Sequence, residues 1–419
     1  MFTILFAASE ACCCVIIAAK RARRQTKTPA PAPPAASRAY RKGVPMNDEF
    51  ARIAKFGFGC MRLPLTDPKD QTSIDMPQFE QMVDAFLEAG GTYFDTAFLY
   101  HDGVSETALN KALVQRHPRE SYVLATKNPA SAFKTPEEAK ACLDTSLERL
   151  GVDYIDFYLL HNLGAERTQK FEDFGMWDFL LQKKAEGVIR HIGFSLHDGP
   201  EALEQLLSAH PQVDFVQLQV NYLDWDDPLT QSRALMEVAA RHGKPVVIME
   251  PVRGGRLAEL SEDAAAPLRA LDAQASLASW AYRFCWNLPN VLTVLSGAST
   301  LEQMRQNAQA FHENRPLSDA ERAALDAVVG KLRAVSSIPC TNCGYCLKGC
   351  PQQVAIPVIM MLLNLEAMTG NAAFSKHNYQ WQATPAKASA CIECGACERV
   401  CPQGIAIVEH LREAAEKYE

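Results

Sequence analysis

"TYFDTAFLYHDGVSETALNKALVQRH", residues 92–117, changes period part-way along. Residues 92–97 form a short apolar run rich in β-formers, which reads as a buried strand. From Ser105 to His117 the apolar residues recur at helical spacing. Strand, connection and helix make one unit, and the chain repeats it. Further apolar runs occupy 55–60 ("KFGFGC"), 122–127 ("YVLATK"), 154–161 ("YIDFYLLH") and 189–195 ("IRHIGFS"). Others occupy 215–221 ("FVQLQVN"), 245–251 ("PVVIMEP") and 291–297 ("VLTVLSG"), making eight in all. Between them, "PQFEQMVDAFLEAG" places Phe79, Met82, Val83, Phe86 and Leu87 on one helical face and stops at Gly90. "TPEEAKACLDTSLERLG" and "TLEQMRQNAQAF" each open on Thr with Glu soon after, which suits a helix N-terminus.

Eight continuous apolar strands, each followed by a helix, predict an α/β chain built as a (β/α)₈ TIM barrel. An open doubly wound sheet is the runner-up. Its Gly-x-Gly-x-x-Gly fingerprint follows none of the eight runs. Beyond the eighth unit, Ser318 and Glu321 form a capping box that opens a helix running to about Arg333.

The chain has 419 residues, enough for two domains and a large core. Its net charge is −7, but residues 1–45 hold eight Lys/Arg and one Glu, so the remainder carries −14. An acidic body argues against nucleic acid as a partner. Residues 1–45 run from an apolar start through "KRARRQTK" to a Pro/Ala tract. The basic residues follow the apolar stretch rather than precede it, unlike a secretory signal. Glu10 interrupts a stretch already short for a membrane span. The segment reads as a disordered or misassigned leader, with a tether through Cys12, Cys13 and Cys14 as the minority reading.

Of the 14 cysteines, eight fall in two runs, "CTNCGYCLKGCP" (340–351) and "CIECGACERVCP" (391–402). Such clustering fits metal ligation in a reducing compartment, the cytoplasm, rather than a disulfide scaffold. Gaps of two, two and three residues, closed by proline, are the bacterial ferredoxin spacing, in which the fourth cysteine serves the other cluster. One 4Fe–4S cluster is therefore expected on Cys340, Cys343, Cys346 and Cys401, and a second on Cys391, Cys394, Cys397 and Cys350. Paired Cys₄ zinc sites are the alternative, but zinc ribbons use two-cysteine knuckles with no third evenly spaced thiol. "IPVIMMLLNLEAM" reads as a buried helix packed between the two runs. The domains expected are the leader (1–45), the barrel (46–316), and a linker helix with a small α-rich ferredoxin-like iron–sulfur domain (317–419).

Barrel active sites lie at the carboxyl ends of strands. That edge offers Asp95, Lys127 and His161, with Tyr100 five residues beyond Asp95. A phenol of pKa about 10 is a weak acid near neutrality. A neighbouring ammonium is expected to lower it, with Asp95 holding Lys127 charged and His161 orienting a carbonyl oxygen.

"FDTAFLY", "LATK", "LLHN", "RHIGFS" and "FVQLQVNY", in this order, resemble the aldo-keto reductase family. With its ferredoxin-type tail the chain is similar to the iron–sulfur-containing branch. The resemblance implies Asp95, Tyr100, Lys127 and His161 as the catalytic four, with Tyr100 as proton donor. It implies NAD(P)H lying extended across the strand ends, with Ser195 and Gln217 on the nicotinamide carboxamide and Asn221 close by. Gly254 and Gly255 would approach the pyrophosphate, and Gln303 and Asn307 the adenosine. Met249 stands where many relatives stack an aromatic ring. Gly297, Ala298 and Gln303 stand where relatives that grip a 2′-phosphate carry Lys or Arg, so NADP(H) and NAD(H) are both open.

The function implied is reduction of an aldehyde, ketone or quinone by hydride transfer. A nucleotide-sensing module and an electron-transfer module docked on a barrel scaffold are the alternatives. Hydride transfer moves two electrons and a cluster takes one, so the clusters read either as a link to a redox partner protein or as structural elements.

Overall fold

A computed structural model describes residues 50, 52–164, 166–228, 230–335, 338–340, 344–401 and 403–419. The expectations placed on residues 1–45 and on Cys343 lie outside them.

Eight strands close into an all-parallel barrel in sequence order: β1 Phe56–Gly59, β2 Tyr93–Asp95, β3 Val123–Asn128, β4 Ile155–Leu163, β5 Ile189–Leu196, β6 Phe215–Gln219, β7 Val246–Met249 and β8 Val291–Ser296. β8 pairs back onto β1, Phe58 opposite Ser296. The helices are α1 Met76–Glu88, α2 Ser105–Leu109, α3 Pro136–Leu150, α4 Glu166–Asp173, α5 Met176–Ala185, α6 Pro200–Ala209, α7 Ser232–Arg241, α8 Glu262–Arg269, α9 Leu277–Trp286 and α10 Leu301–His312. Each expected strand is present, with ends moved by one or two residues.

Local chemistry sets the helix ends. Thr135 accepts from Glu138 N to start α3, which ends on Gly151 at φ 69°. The stretch 105–117 departs from the single α-helix expected. α2 gives way to a π turn at Asn110–Val114, with Gln115 N bonded to Asn110 O at 3.0 Å. The widened turn lets Asn110 Nδ2 reach Arg149 O at the end of α3, 3.0 Å away.

Alternation along the strands divides the core. Phe58, Phe94, Leu124, Tyr158, Phe194 and Ile248 face the helices. Tyr93, Ala125, Phe157, Phe215, Val247 and Leu292 fill the barrel, with Phe50 and Ile53 packed against them. Burying each large side chain contributes roughly 1.5–3 kcal/mol. Phe215 fits only because residue 193 is glycine: a Cβ there would lie 2.6 Å from its ring. This packed floor leaves the carboxyl edge of the barrel as the open end.

α11, Asp319–Ala334, starts on the expected capping box between Ser318 and Glu321. It leads to a helical tail: α12 Tyr345–Lys348, α13 Ile356–Thr369, α14 Ala372–Gln382, α15 Ala396–Arg399 and α16 Ile407–Tyr418. The tail has its own core, including Ile359, Leu362, Tyr379, Leu411 and Tyr418. It also touches the barrel. The Arg256 guanidinium lies 4.1 Å from the Phe374 ring centre, and Trp381 meets His197 edge-on at 6.3 Å. Among the described residues no helix is long and apolar enough to cross a membrane.

Candidate active site and iron–sulfur centres

Asp95 ends β2, Lys127 lies one residue from the end of β3, and His161 stands near the end of β4. Lys127 Nζ donates to Asp95 Oδ1 at 2.5 Å, to Thr96 O at 2.7 Å and to Tyr100 Oη at 3.2 Å. An ammonium has three donors, and all three are used. The Tyr100 oxygen is thus an acceptor for Lys127, so its own proton points elsewhere. The His161 ring stands edge-on to Tyr100 with centres 5.7 Å apart. These four expected residues come together.

The Tyr100 pKa corrects the expectation drawn from sequence. Burial raises it above the ordinary value by more than Lys127 lowers it, with Asp95 adding to the rise. The phenol therefore stays protonated through neutrality. Burial alone would lower Lys127, but Asp95 and Tyr100 outweigh it and keep the ammonium charged. Burial, then Lys127, push His161 well below its usual value, so its imidazole is neutral.

Strained backbone follows the same strand ends. His101 and Asp102 just after Tyr100, Asn162 just after His161, and Glu250 and Arg253 after β7 are all left-handed. His101 Nε2 accepts from Leu63 N at 3.0 Å, and Nδ1 donates to Gln71 O at 3.0 Å. It ties the segment after β1 to the turn that carries Tyr100. Nothing in the sequence pattern marked this histidine.

In the tail, Cys350, Cys391, Cys394 and Cys397 surround one void. Cys340, Cys346 and Cys401 surround another, and Ile356 of α13 lines both. The fourth cysteine of each run thus faces the void of the other. Gly344 and Gly395, at φ 72° and 66°, make the turns between thiols. Among the described residues no three His, Cys, Asp or Glu side chains converge to hold a single metal ion. Rings of sulfur around a void fit a cluster better than a lone zinc.

The aldo/keto reductase family profile matches residues 55–329, the barrel and most of α11. The chain belongs to that family. Residues 339–406 match the 4Fe-4S dicluster domain. An aldo-keto reductase of Mycolicibacterium smegmatis is 34% identical over 42% of this chain and 59% of its own length. An uncharacterized oxidoreductase of Bacillus subtilis, YqkF, is 28% identical over 66% of this chain and 92% of its own. The chain thus spans about three fifths of some curated relatives it matches and nearly all of others. Among solved structures, the holo form of an aldo-keto reductase from Bacillus halodurans superposes with a TM-score of 0.53 at 29% identity, over 66% of this chain and 92% of that one. A Klebsiella pneumoniae aldo/keto reductase, in complex with NADP and acetate, superposes at 0.51 with 24% identity, over 66% of this chain and 92% of that one, a likeness of fold.

In this family member the residues expected on the nucleotide are placed less uniformly than Asp95, Tyr100, Lys127 and His161. Gln217 Nε2 donates to Asp95 Oδ2 at 3.0 Å, and Ser195 Oγ accepts from Asn162 N at 2.8 Å. Gln217 thus touches the Asp95–Lys127 pair, and Ser195 the residue after His161. Asn221 is buried, bonding Asp224 and the Glu250 carbonyl while accepting from Leu223 N and Asp224 N. It builds the turn after β6. Asn307 is also buried and turned onto Ser296 Oγ at 3.0 Å. Gln303 is exposed and accepts from Ser299 N at 2.8 Å. Met249 ends β7 partly buried against the barrel interior.

Three arginines that sequence reasoning passed over gather at Gly254 and Gly255. Arg62 Nη2 lies 4.0 Å from Glu250 Oε1, and Arg253 Nη2 lies 3.2 Å from Asp224 Oδ1. Burial, then Arg253 and Arg62, push Arg256 down to about 10. Arg62 also lies against Gly254 and Gly297, bridging the ends of β7 and β8. Crowded guanidiniums beside a left-handed glycine loop suit an anion. The repeated Arg of "EPVRGGR" was the visible signal.

Proposed function

We propose that the barrel reduces a carbonyl compound with NADPH or NADH, with Tyr100 as proton donor. The observation that carries this reading is the Lys127 hydrogen bond to Tyr100 Oη. With its oxygen held by Lys127, the phenol directs its proton to the open end of the barrel. Neutral His161 donates one ring N–H to the carbonyl oxygen and sets its direction. Tyr100 protonates that oxygen as negative charge develops on it. Lys127 stabilises the resulting phenolate, and solvent restores its proton.

Ser195 and Gln217 would hold the nicotinamide end, and Gly254, Gly255, Arg62, Arg253 and Arg256 the phosphates. Gln303 and Asn307 remain our candidates for the adenosine end and Asn221 for a contact close to the nicotinamide, although the last two would have to turn from their present partners. When bound, the reduced nicotinamide supplies a hydride to the carbonyl carbon. Arg62, placed between β7 and β8, supports NADPH over NADH by offering a cation for a 2′-phosphate. The Klebsiella neighbour of the same fold holds NADP.

The eight cysteines named from the sequence hold two 4Fe–4S clusters in this reading, with Cys343 completing the first. Thiols kept free to ligate iron would suit a reducing compartment, and the cytoplasm is the location in this reading. A second role for the clusters, exchange of single electrons with a redox partner protein, is favoured by exposed Tyr345, Leu347, Ile392 and Val400 close to the cysteine runs.

The test is consumption of NADPH or NADH by anaerobically purified protein with a panel of aldehydes, ketones and quinones. Reduced product should form in step with nucleotide oxidation. Nucleotide binding without turnover of any carbonyl would overturn the reading.

A further inference from the structure

We propose that α14 of the tail forms one wall of the substrate pocket, and that Trp381 selects carbonyl compounds with a flat aromatic body. The inference deepens the reductase reading above and rests on it. α14 is anchored at two points on the open end of the barrel. Near its start, Phe374 packs under Arg256, and a Cβ at Gly254 would come within 3.1 Å of its ring. Seven residues later, about 10 Å along the helix axis, the Trp381 indole meets the His197 ring at 6.3 Å and 90°. The helix therefore runs from the loop after β7 to the end of β5.

His197 leads to the chemistry. It lies two residues beyond Ser195, and its N donates to Leu163 O at 2.9 Å, two residues past His161. The His161 ring is in turn 5.7 Å from Tyr100. Two ring pairs, Tyr100 with His161 and His197 with Trp381, thus stand on the paired ends of β4 and β5, between Tyr100 and the tail. Trp381 keeps 38% of its surface open, while Met61 and Leu99, beside β1 and Tyr100, keep 50% and 49%. An apolar rim over a few convergent polar groups is the usual build of a small-molecule pocket. Arg167, on the same side, is turned onto Asn162 O at 2.9 Å. The exposed indole offers a ring edge-to-face or stacked contact.

The wall is fixed from behind. On the opposite face of α14, Tyr379 is fully buried against Tyr418, 5.2 Å away, and its hydroxyl accepts from Ala388 N at 2.6 Å. Ala388 stands three residues before Cys391. The backbone that enters the second cysteine run therefore also seats the pocket wall.

The test compares cluster-loaded, full-length wild type with Trp381→Ala and Trp381→Phe on naphthaldehyde and propanal. Trp381→Ala should raise KM for naphthaldehyde about tenfold, leaving propanal kinetics and nucleotide affinity within about twofold of wild type. Trp381→Phe should recover most of the naphthaldehyde KM. If wild type and Trp381→Ala share one naphthaldehyde-to-propanal selectivity ratio, the inference is wrong while the reductase reading stands. If wild type reduces neither these nor any other carbonyl, the reductase reading fails and takes the inference with it.

Discussion

Gln217 Nε2 donates to Asp95 Oδ2 at 3.0 Å across the width of the barrel, from β6 to β2. The other Asp95 oxygen takes the Lys127 ammonium. A residue expected only on the nucleotide is thus also part of the support beneath Lys127 and Tyr100. Both carboxylate oxygens are buried and bonded, so losing either partner leaves a desolvated acceptor.

Gln217→Leu removes that donor with little change in volume. We expect a stability loss of about 1–3 kcal/mol and a fall in kcat of about tenfold, beyond any change in nucleotide affinity. Denaturant midpoints and steady-state kinetics check both. Weaker nucleotide binding with kcat and stability intact would assign Gln217 to the nucleotide alone.

The pH dependence of reduction follows from the two shifted groups. In the proposed reaction Tyr100 acts while protonated, and its pKa lies above the ordinary value. The rate should therefore hold from neutrality to about pH 10 and fall only above it. His161 acts while neutral, and its pKa lies well below the ordinary value. An acid limb should therefore appear only below about pH 6.5. An alkaline limb between pH 7 and 9 in kcat/KM would mean that Lys127 outweighs burial at the phenol.

The placing of Cys350 and Cys401 predicts crossed dependence of the clusters. Cys350→Ser should disturb the centre held by the second run, and Cys401→Ser that held by the first. Electron paramagnetic resonance of the reduced proteins should show a different remaining centre in each variant. The assignment fails if each substitution disturbs the centre of its own run.

Glu321 joins the barrel to α11. It accepts both Arg315 Nη atoms at 2.8 Å, Arg283 Nη2 at 2.9 Å and Ser318 N at 2.8 Å. The Arg315 fork holds its carboxyl far below the usual range, against the effect of burial. A depressed folded pKa contributes stability above the unfolded value near 4.3 and loses it as pH falls. Glu321→Gln should cost about 1–2 kcal/mol at neutral pH, and the gap to wild type should begin to narrow below about pH 4 and shrink further as pH falls. Thermal melts across that range are the check, and a gap independent of pH contradicts it.

The barrel was legible because strands buried on both faces keep unbroken apolar runs, and strand ends alone located Asp95, Lys127 and His161. The cysteine spacing carried the tail in the same way. What the sequence withheld depended on the third dimension. Periodicity says nothing of the burial that raises Tyr100 against its ammonium. It does not tell that Asn221 and Asn307 spend their amides inside the protein, or that Arg62 reaches the loop after β7. The 105–117 pattern hid a π turn because an inserted residue barely disturbs apolar spacing. The seat of α14 across the open end follows from two distant contacts, Phe374 with Arg256 and Trp381 with His197.

The most direct measurement is single-turnover reduction of an aldehyde by NADPH-loaded Tyr100→Phe. The variant keeps the ring beside His161 and removes only the hydroxyl that Lys127 contacts. The rate of reduction should fall by about 10²–10⁴-fold with NADPH affinity unchanged. Reduction within about twofold of wild type would show that the proton comes from elsewhere.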